Sequence, residues 1–389
     1  MTSTRFPGLD SLRFLAALFV VIGHIPMTQA AVGLPSPTWS AAFFRGAHAV
    51  CFFFTLSGFL ITYLLLEERR RTSTVDVWRF YVRRMYRIWP LYFAVVALGL
   101  AFYKGLLPWL GIGHSAPYRV STAVLLYVFF LPNLMNSLCP VGGILNPLWS
   151  IGVEEQFYLA WAPLVRRVRD RLPALCWTIA ALSLTVFVLS RADLFGVGRA
   201  KHFLGQLKFH FMAVGALWAF AAHRHRARLL ALPVFSSRLL QLVLFALLIE
   251  HYLAGRLAGG EVAAELLQLA LYGWLIVNVA VNLRNVIRIA NAAFEYLGKI
   301  SYGIYMLHMP AVYATAALFL RSNWWHGHQS AYLFVYYVLA LGITVALAAI
   351  SYHYFELPFL RMKDRVSPIP GASPGGARPL PVASVDASP

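Results

Sequence analysis

The chain has 389 residues, 60% of them hydrophobic and only 12% charged, with a formal net charge of +18. Soluble domains carry roughly twice that charged share, so composition excludes a pair of ordinary soluble domains despite a length that would suit them. The positive charge sits in short arginine segments between apolar runs, without an aromatic-interleaved basic motif; this excludes nucleic-acid binding and fits retention on the cytoplasmic side of a membrane.

Apolar runs of about 20 residues match a bilayer core of about 30 Å. They lie near 11–27, 48–66, 89–107, 147–165, 173–190, 203–222, 236–254, 263–282, 298–320 and 331–355. The expected fold is an all-α polytopic membrane protein of about ten transmembrane helices. One further run, 121–137, is read as a short re-entrant or interfacial segment. If it spanned, Arg166, Arg167, Arg169 and Arg171 would face outside, followed by Arg224, Arg226 and Arg228. With it in the interface, both groups return to the cytoplasm beside Arg69, Arg70, Arg71, Arg79, Arg83, Arg84 and Arg87, and both termini are cytoplasmic.

The first run reads as an uncleaved helix rather than a signal peptide, because Asp10 and Arg13 abut it and many spans follow. The membrane domain is expected over 5–362. The Pro-, Ser-, Gly- and Ala-rich segment 366–389 reads as a disordered cytosolic tail. Cys51, Cys139 and Cys176 are scattered, so neither a disulfide framework nor a metal site is expected.

Ionisable groups inside spans are costly and are candidate functional residues by default. In the first span these are Asp10, Arg13 and His24. Arg13 and His24 are three helical turns apart on one face, roughly 16 Å along the axis, and Asp10 precedes Arg13 by three, a pairing distance. The plain alternative is two interfacial anchors and one packed histidine. The segment Asn146–Tyr158 carries Glu154 and Glu155, set about 100° apart around a helix, so only one can face His24. Entering from the opposite side, Glu154 reaches the depth of His24. A helix-start carboxylate is the alternative.

Arg84 and Arg87, at i and i+3 near the cytosolic mouth of the third span, could grip phosphates or simply anchor the helix. Ser57-Gly58 suits close helix packing. Ser301, Tyr305 and His308 lie on adjacent turns. Near the end, Glu356 can pair with Arg361, and His353 reads as interfacial.

Together these residues carry a resemblance. Gly8-Leu9-Asp10-Ser11-Leu12-Arg13 leading to His24, then Leu56-Ser57-Gly58-Phe59-Leu60, resembles the bacterial acyltransferase-3 family of integral-membrane acyltransferases. Arg84-Met85-Tyr86-Arg87-Ile88-Trp89-Pro90 is similar to its RxxR signature, and Trp149-Ser150 through Glu154-Glu155-Gln156-Phe157-Tyr158 to its SLxxExQFY signature. Ile300-Ser301-Tyr302 with Tyr305 and His308, and Phe355-Glu356-Leu357-Pro358, resemble its closing motifs. Ile151 and Gly152 depart from the Leu and Ser common there, and the esterase-like C-terminal domain of some members is not recognised.

The resemblance implies a bacterial inner-membrane enzyme that moves an acyl group, usually acetyl, from cytosolic acyl-CoA to a carbohydrate hydroxyl. Lipopolysaccharide, exopolysaccharide and other surface glycans or glycolipids are the expected acceptors; a glycosylated metabolite such as a macrolide is the alternative. No permanently bound cofactor is expected, acetyl-CoA or another acyl-CoA being a co-substrate. His24, Glu154, Arg13 and Asp10 are then the expected catalytic group, with His24 as general base tuned by the Glu154 carboxylate and Arg13 either steadying CoA or orienting Asp10. Arg84, Arg87 and Arg83 are expected to hold the CoA phosphates, and Ser57, Glu155, Tyr158, Tyr305 and His308 to line the substrate site. Direct attack on the thioester is the default route, an acyl-imidazole on His24 the other. A proton-coupled transporter would also place His, Glu and Arg at mid-membrane, but lacks the half-to-half similarity many such folds show.

Overall fold

A computed structural model describes residues 6, 8–37, 46–111, 117–192, 198–253, 255, 259–289, 291–322, 326 and 329–366. The expected tail lies outside this set except for Val366. The described residues form helices and connecting turns, with no strand among them. The principal helices are α1 (Leu9–Ala31), α2 (Gly46–Thr72), α3 (Val77–Ala101), α4 (Val120–Val128), α5 (Pro132–Leu138), α6 (Leu148–Val168), α7 (Leu172–Arg191), α8 (Arg199–Gln206), α9 (Phe209–Arg224), α10 (Arg238–Leu253), α11 (Glu261–Val281), α12 (Ala292–Lys299), α13 (Ser301–Ser322), α14 (Gln329–Ile350) and α15 (Leu357–Arg365).

Among the described residues eight helical stretches are long and apolar enough to cross a membrane, and the protein is an all-α polytopic membrane protein. The expectation of about ten spans differs from this number for two physical reasons. Helices α6 and α7 follow each other through a single 3₁₀ turn at Arg169–Arg171, so they count as one stretch, Leu148–Arg191. Helix α10 has 16 residues, about 24 Å of helix, shorter than the hydrocarbon core. The 121–137 run is broken: α4 and α5 are 9 and 7 residues long, and neither reaches across a bilayer. Pro132 opens α5, and Phe130 just before it takes a positive φ of 54°.

Helix α1 divides the core. Leu12, Ala16 and Val20 join the larger apolar cluster, whereas Phe14, Ala17, Val21 and Ile25 face α13 and α14. Its principal neighbours are α12, α13 and α2. The closest crossing is α2 on α9. A Cβ on Gly58 would collide with the Met212 carbonyl, and one on Gly215 with the Thr55 carbonyl, so small residues let the two backbones touch, as expected for Ser57-Gly58.

One helix-interior proline is met by a neighbouring hydroxyl. Pro163 within α6 removes the amide that would bond Leu159, and the Tyr81 hydroxyl of α3 donates to that carbonyl at 2.5 Å. Gln156 of α6 holds the kinked 130–133 segment, donating to Phe130 O at 2.8 Å and Asn133 Oδ1 at 2.9 Å. Gly152 lies against the same segment, where a Cβ would strike Pro132 and approach Phe130 O. The glycine that departs from the motif thus makes room for the break.

Candidate functional site

Helices α1, α2, α3, α6 and α13 enclose a cavity of about 110 Å³. Arg13, Arg84 and Arg87 line it together with Ser57, Glu154 and Tyr158, and Ser150, Ser301, Tyr302 and Tyr305 complete its polar wall. The sequence motifs from five separate helices therefore meet in one place.

The arginines of 67–88 sort into two classes. Glu67 accepts from Arg70 at 2.7 and 2.8 Å and from Arg71 at 2.6 Å, Arg83 pairs with Glu68 at 2.8 Å, Arg79 pairs with Asp76 at 3.2 Å, and Arg69 donates to Val165 O at 3.2 Å. Arg84 and Arg87 have no hydrogen bond or ion pair among the described residues. The Arg84 Nε is buried without an acceptor, while its guanidinium stands 5.9 Å from the Phe80 ring centre. Asp10 and Glu356 lie within electrostatic reach of Arg87 without forming a pair. Arg83 thus pairs at the α2–α3 junction, with its Nη1 buried and unpartnered, and does not line the cavity, whereas the two arginines of the RxxR motif line it beside Arg13.

Helix α6 presents its two carboxylates to different partners. Glu154 lines the cavity and accepts from Ser57 Oγ at 2.7 Å. Glu155 turns to α3, where its Oε2 accepts from Trp89 Nε1 at 3.1 Å. The 100° step between adjacent helical positions produces this division. Tyr305 shares a 2.6 Å hydrogen bond with Ser150 Oγ and donates to Pro147 O at 2.9 Å, which ties α13 to the start of α6. Tyr302 donates to Ile88 O at 2.8 Å and ties α13 to α3.

On α1, Arg13 pairs with Asp10 at 2.7 Å, the expected i, i+3 contact, and Arg13 also reaches the cavity. His24 lies outside the cavity lining. Its Nδ1 is 2.9 Å from Val20 O; a carbonyl only accepts, so Nδ1 carries the hydrogen and Nε2 keeps its lone pair. The His24 ring meets His308 of α13, with centroids 4.9 Å apart, and His308 in turn meets Tyr305, whose ring is 5.9 Å away. In place of the expected Glu154–His24 pairing, α2 supplies Ser57 to Glu154 and α13 supplies His308 to the face of α1 that carries His24. Toward the chain end, Glu356 accepts from Ser351 at 2.9 Å within a π-helical turn, Ser351–Glu356, instead of pairing with Arg361, which is exposed. His353 is exposed and bonds the Tyr296 hydroxyl at 3.2 Å.

A second buried polar cluster was not singled out from the sequence. Glu265 of α11 accepts from Lys208 at 2.6 Å and contacts His210 Nε2 at 2.9 Å, while Ser183 of α7 meets His210 Nδ1 at 2.9 Å. These residues fall inside the apolar runs 173–190, 203–222 and 263–282, so the rule that selected His24 would have found them. Among the described residues no group of His, Cys, Asp and Glu could hold a metal.

Residues 6–353 match the model of a family described as an acyltransferase domain. The O-acetyltransferase OatA of Staphylococcus aureus strain NCTC 8325 is 25% identical over 377 residues, covering 92% of this chain and 58% of the relative; OatA of strain COL matches to the same extent. A further protein of strain COL, named as an O-acetyltransferase by inference, is 24% identical over 377 residues, covering 91% of this chain and 57% of its own. The chain thus spans little more than half the length of these relatives. No solved structure matches.

Proposed function

Because this chain belongs to the acyltransferase-domain family and is an acyltransferase, we propose that it moves an acetyl or other short acyl group from cytosolic acyl-CoA to a hydroxyl of a carbohydrate acceptor, such as a surface glycan or glycolipid. The names of its relatives support the O-acetyl part of this reading. The observation that carries the donor assignment is the sorting of arginines. Five of the seven in 67–88 have protein partners, while Arg84 and Arg87 have none among the described residues and line the cavity. A forked guanidinium pair suits the phosphates of CoA.

In this reading CoA rests on Arg84 and Arg87, and its pantetheine arm extends past Glu154 toward Tyr305. His24 takes the proton of the acceptor hydroxyl on Nε2, the nitrogen left free by the bond to Val20 O. The oxygen attacks the thioester carbonyl, the C–S bond breaks, and the proton passes from His24 to the departing thiolate. The products are an O-acyl ester and CoA. Ser57 holds the Glu154 carboxylate in the cavity wall, which it shares with Arg84 and Arg87.

The test uses membranes containing the wild type, His24→Ala, and Arg84→Ala/Arg87→Ala, incubated with radiolabelled acetyl-CoA and host glycan and glycolipid extracts. The wild type should label a carbohydrate fraction. His24→Ala should bind acetyl-CoA without transferring its label, and the arginine variant should fail at binding. Equal labelling by all three, or a wild type that neither binds nor consumes acetyl-CoA, overturns the reading and reopens that of a transporter.

A further inference from the structure

His308 is fully buried two turns into α13, and its Nε2 is a buried atom with no hydrogen-bond partner. Its Nδ1 lies 2.6 Å from Tyr305 O, so Nδ1 carries the hydrogen and Nε2 holds a bare lone pair. His24 has the same arrangement on α1, with Nδ1 bonded to Val20 O. Two imidazoles with ring centres 4.9 Å apart are thus each locked by their own helix in the tautomer that leaves Nε2 unprotonated. An unpartnered buried acceptor is costly, and a packed apolar residue would avoid that cost.

His308 Nε2 has no room beside it for a substrate hydroxyl, since the atom is closed to solvent. A developing positive charge on the neighbouring ring needs no such room. We propose, on the basis of the acyl-transfer reading above, that His308 is a positioning residue for His24. Its fixed lone pair stabilises the imidazolium formed when His24 takes the acceptor's proton, and its ring holds His24 in the reactive orientation. No atom is transferred to His308: the proton moves from acceptor oxygen to His24 Nε2 and on to the CoA thiolate, with His308 neutral throughout. This is electrostatic preorganisation, in which a dipole is set before charge develops.

The experiment compares the full chain in membranes as wild type, His308→Leu, His308→Gln, His24→Ala and the double variant His24→Ala/His308→Leu, with kcat and the KM for acetyl-CoA measured separately. His308→Leu should lower kcat by about 100-fold, within the range of general-base assistance, and leave KM within about twofold because the CoA arginines are untouched. His308→Gln, whose amide oxygen is again an acceptor, should recover activity to within about tenfold of wild type. The double variant should be no slower than His24→Ala within about twofold, because residues acting as one unit are not additive. A His308→Leu kcat within about threefold of wild type, or a Leu loss that multiplies with that of His24→Ala, overturns the positioning role. If His308→Leu fails to fold, the decision rests on His308→Gln: kcat within about tenfold of wild type sustains the proposal, and a loss as large as that of His24→Ala overturns it. A wild type that transfers nothing overturns the acyl-transfer reading itself and this inference with it.

Discussion

Arg84 and Arg79 stand in one helix, five residues apart, and have opposite surroundings. Arg79 is paired with Asp76 at the first turn of α3, whereas Arg84 has a buried Nε without an acceptor and lines the cavity with Arg87. Lysine keeps the charge but loses the planar fork. Arg84→Lys and Arg87→Lys should each weaken acetyl-CoA binding by about 10- to 100-fold, the loss expected for one charge-assisted hydrogen bond, while Arg79→Lys stays within about twofold; titration of acetyl-CoA into purified protein reads the difference. Spacing singles out Arg84 and Arg87 among the seven arginines of this segment, and the resemblance adds Arg83 to the expected CoA-binding group. Only the meeting of α2 and α3 shows that Glu68 claims Arg83. Likewise, counting turns along each helix sets His24 and Glu154 at one expected level. The partners were not legible: α2 supplies Ser57 to Glu154, and α13, distant in sequence, supplies His308 to His24.

Helix contacts follow the same pattern of partial legibility. Gly58 and Gly342 both sit inside apolar runs, and by composition alone each is a candidate for close packing. A Cβ on Gly58 would strike the Met212 carbonyl, whereas one on Gly342 meets open space. The obstacle at Gly58 is backbone, which cannot rotate aside. Gly58→Leu should therefore separate α2 from α9 and cost about 1–3 kcal/mol or more, seen as a lower thermal midpoint in detergent and a smaller folded fraction. Gly342→Ala should leave the midpoint unchanged or raise it, since alanine is the better helix former. Activity should fall with Gly58→Leu because α2 also carries Ser57 to Glu154. Element lengths show where periodicity alone falls short. The 121–137 run was too short to span and is broken at Pro132, as its composition suggested, but α10 looked like its neighbours in sequence and extends for only 16 residues.

At the scale of the molecule, the arginine-rich helix ends are joined to one another. Arg69 at the end of α2 bonds Val165 O near the end of α6, His223 at the end of α9 contacts Glu67 of α2 at 3.3 Å, and Arg226 donates to Val281 O at the end of α11 at 3.0 Å. These bonds put the ends of α2, α6, α9 and α11 at one end of the bundle, and from the positive-inside tendency we propose that this end is cytoplasmic. Helix α3 starts there, next to Ser73, and its continuation ends near Gly111. Thiol labelling separates the sides. Cys51 and Cys176 are buried and Cys139 is partly exposed, so Cys139→Ser gives a quiet background for Ser73→Cys and Gly111→Cys. With a membrane-impermeant maleimide on intact right-side-out membranes, Gly111→Cys should label, and Ser73→Cys should label only after permeabilisation. Labelling of both from the same side would mean that α3 does not cross. The reversed pattern would put Arg84 and Arg87 on the outer side, where cytosolic acyl-CoA never meets them, and the donor assignment would fall with the topology.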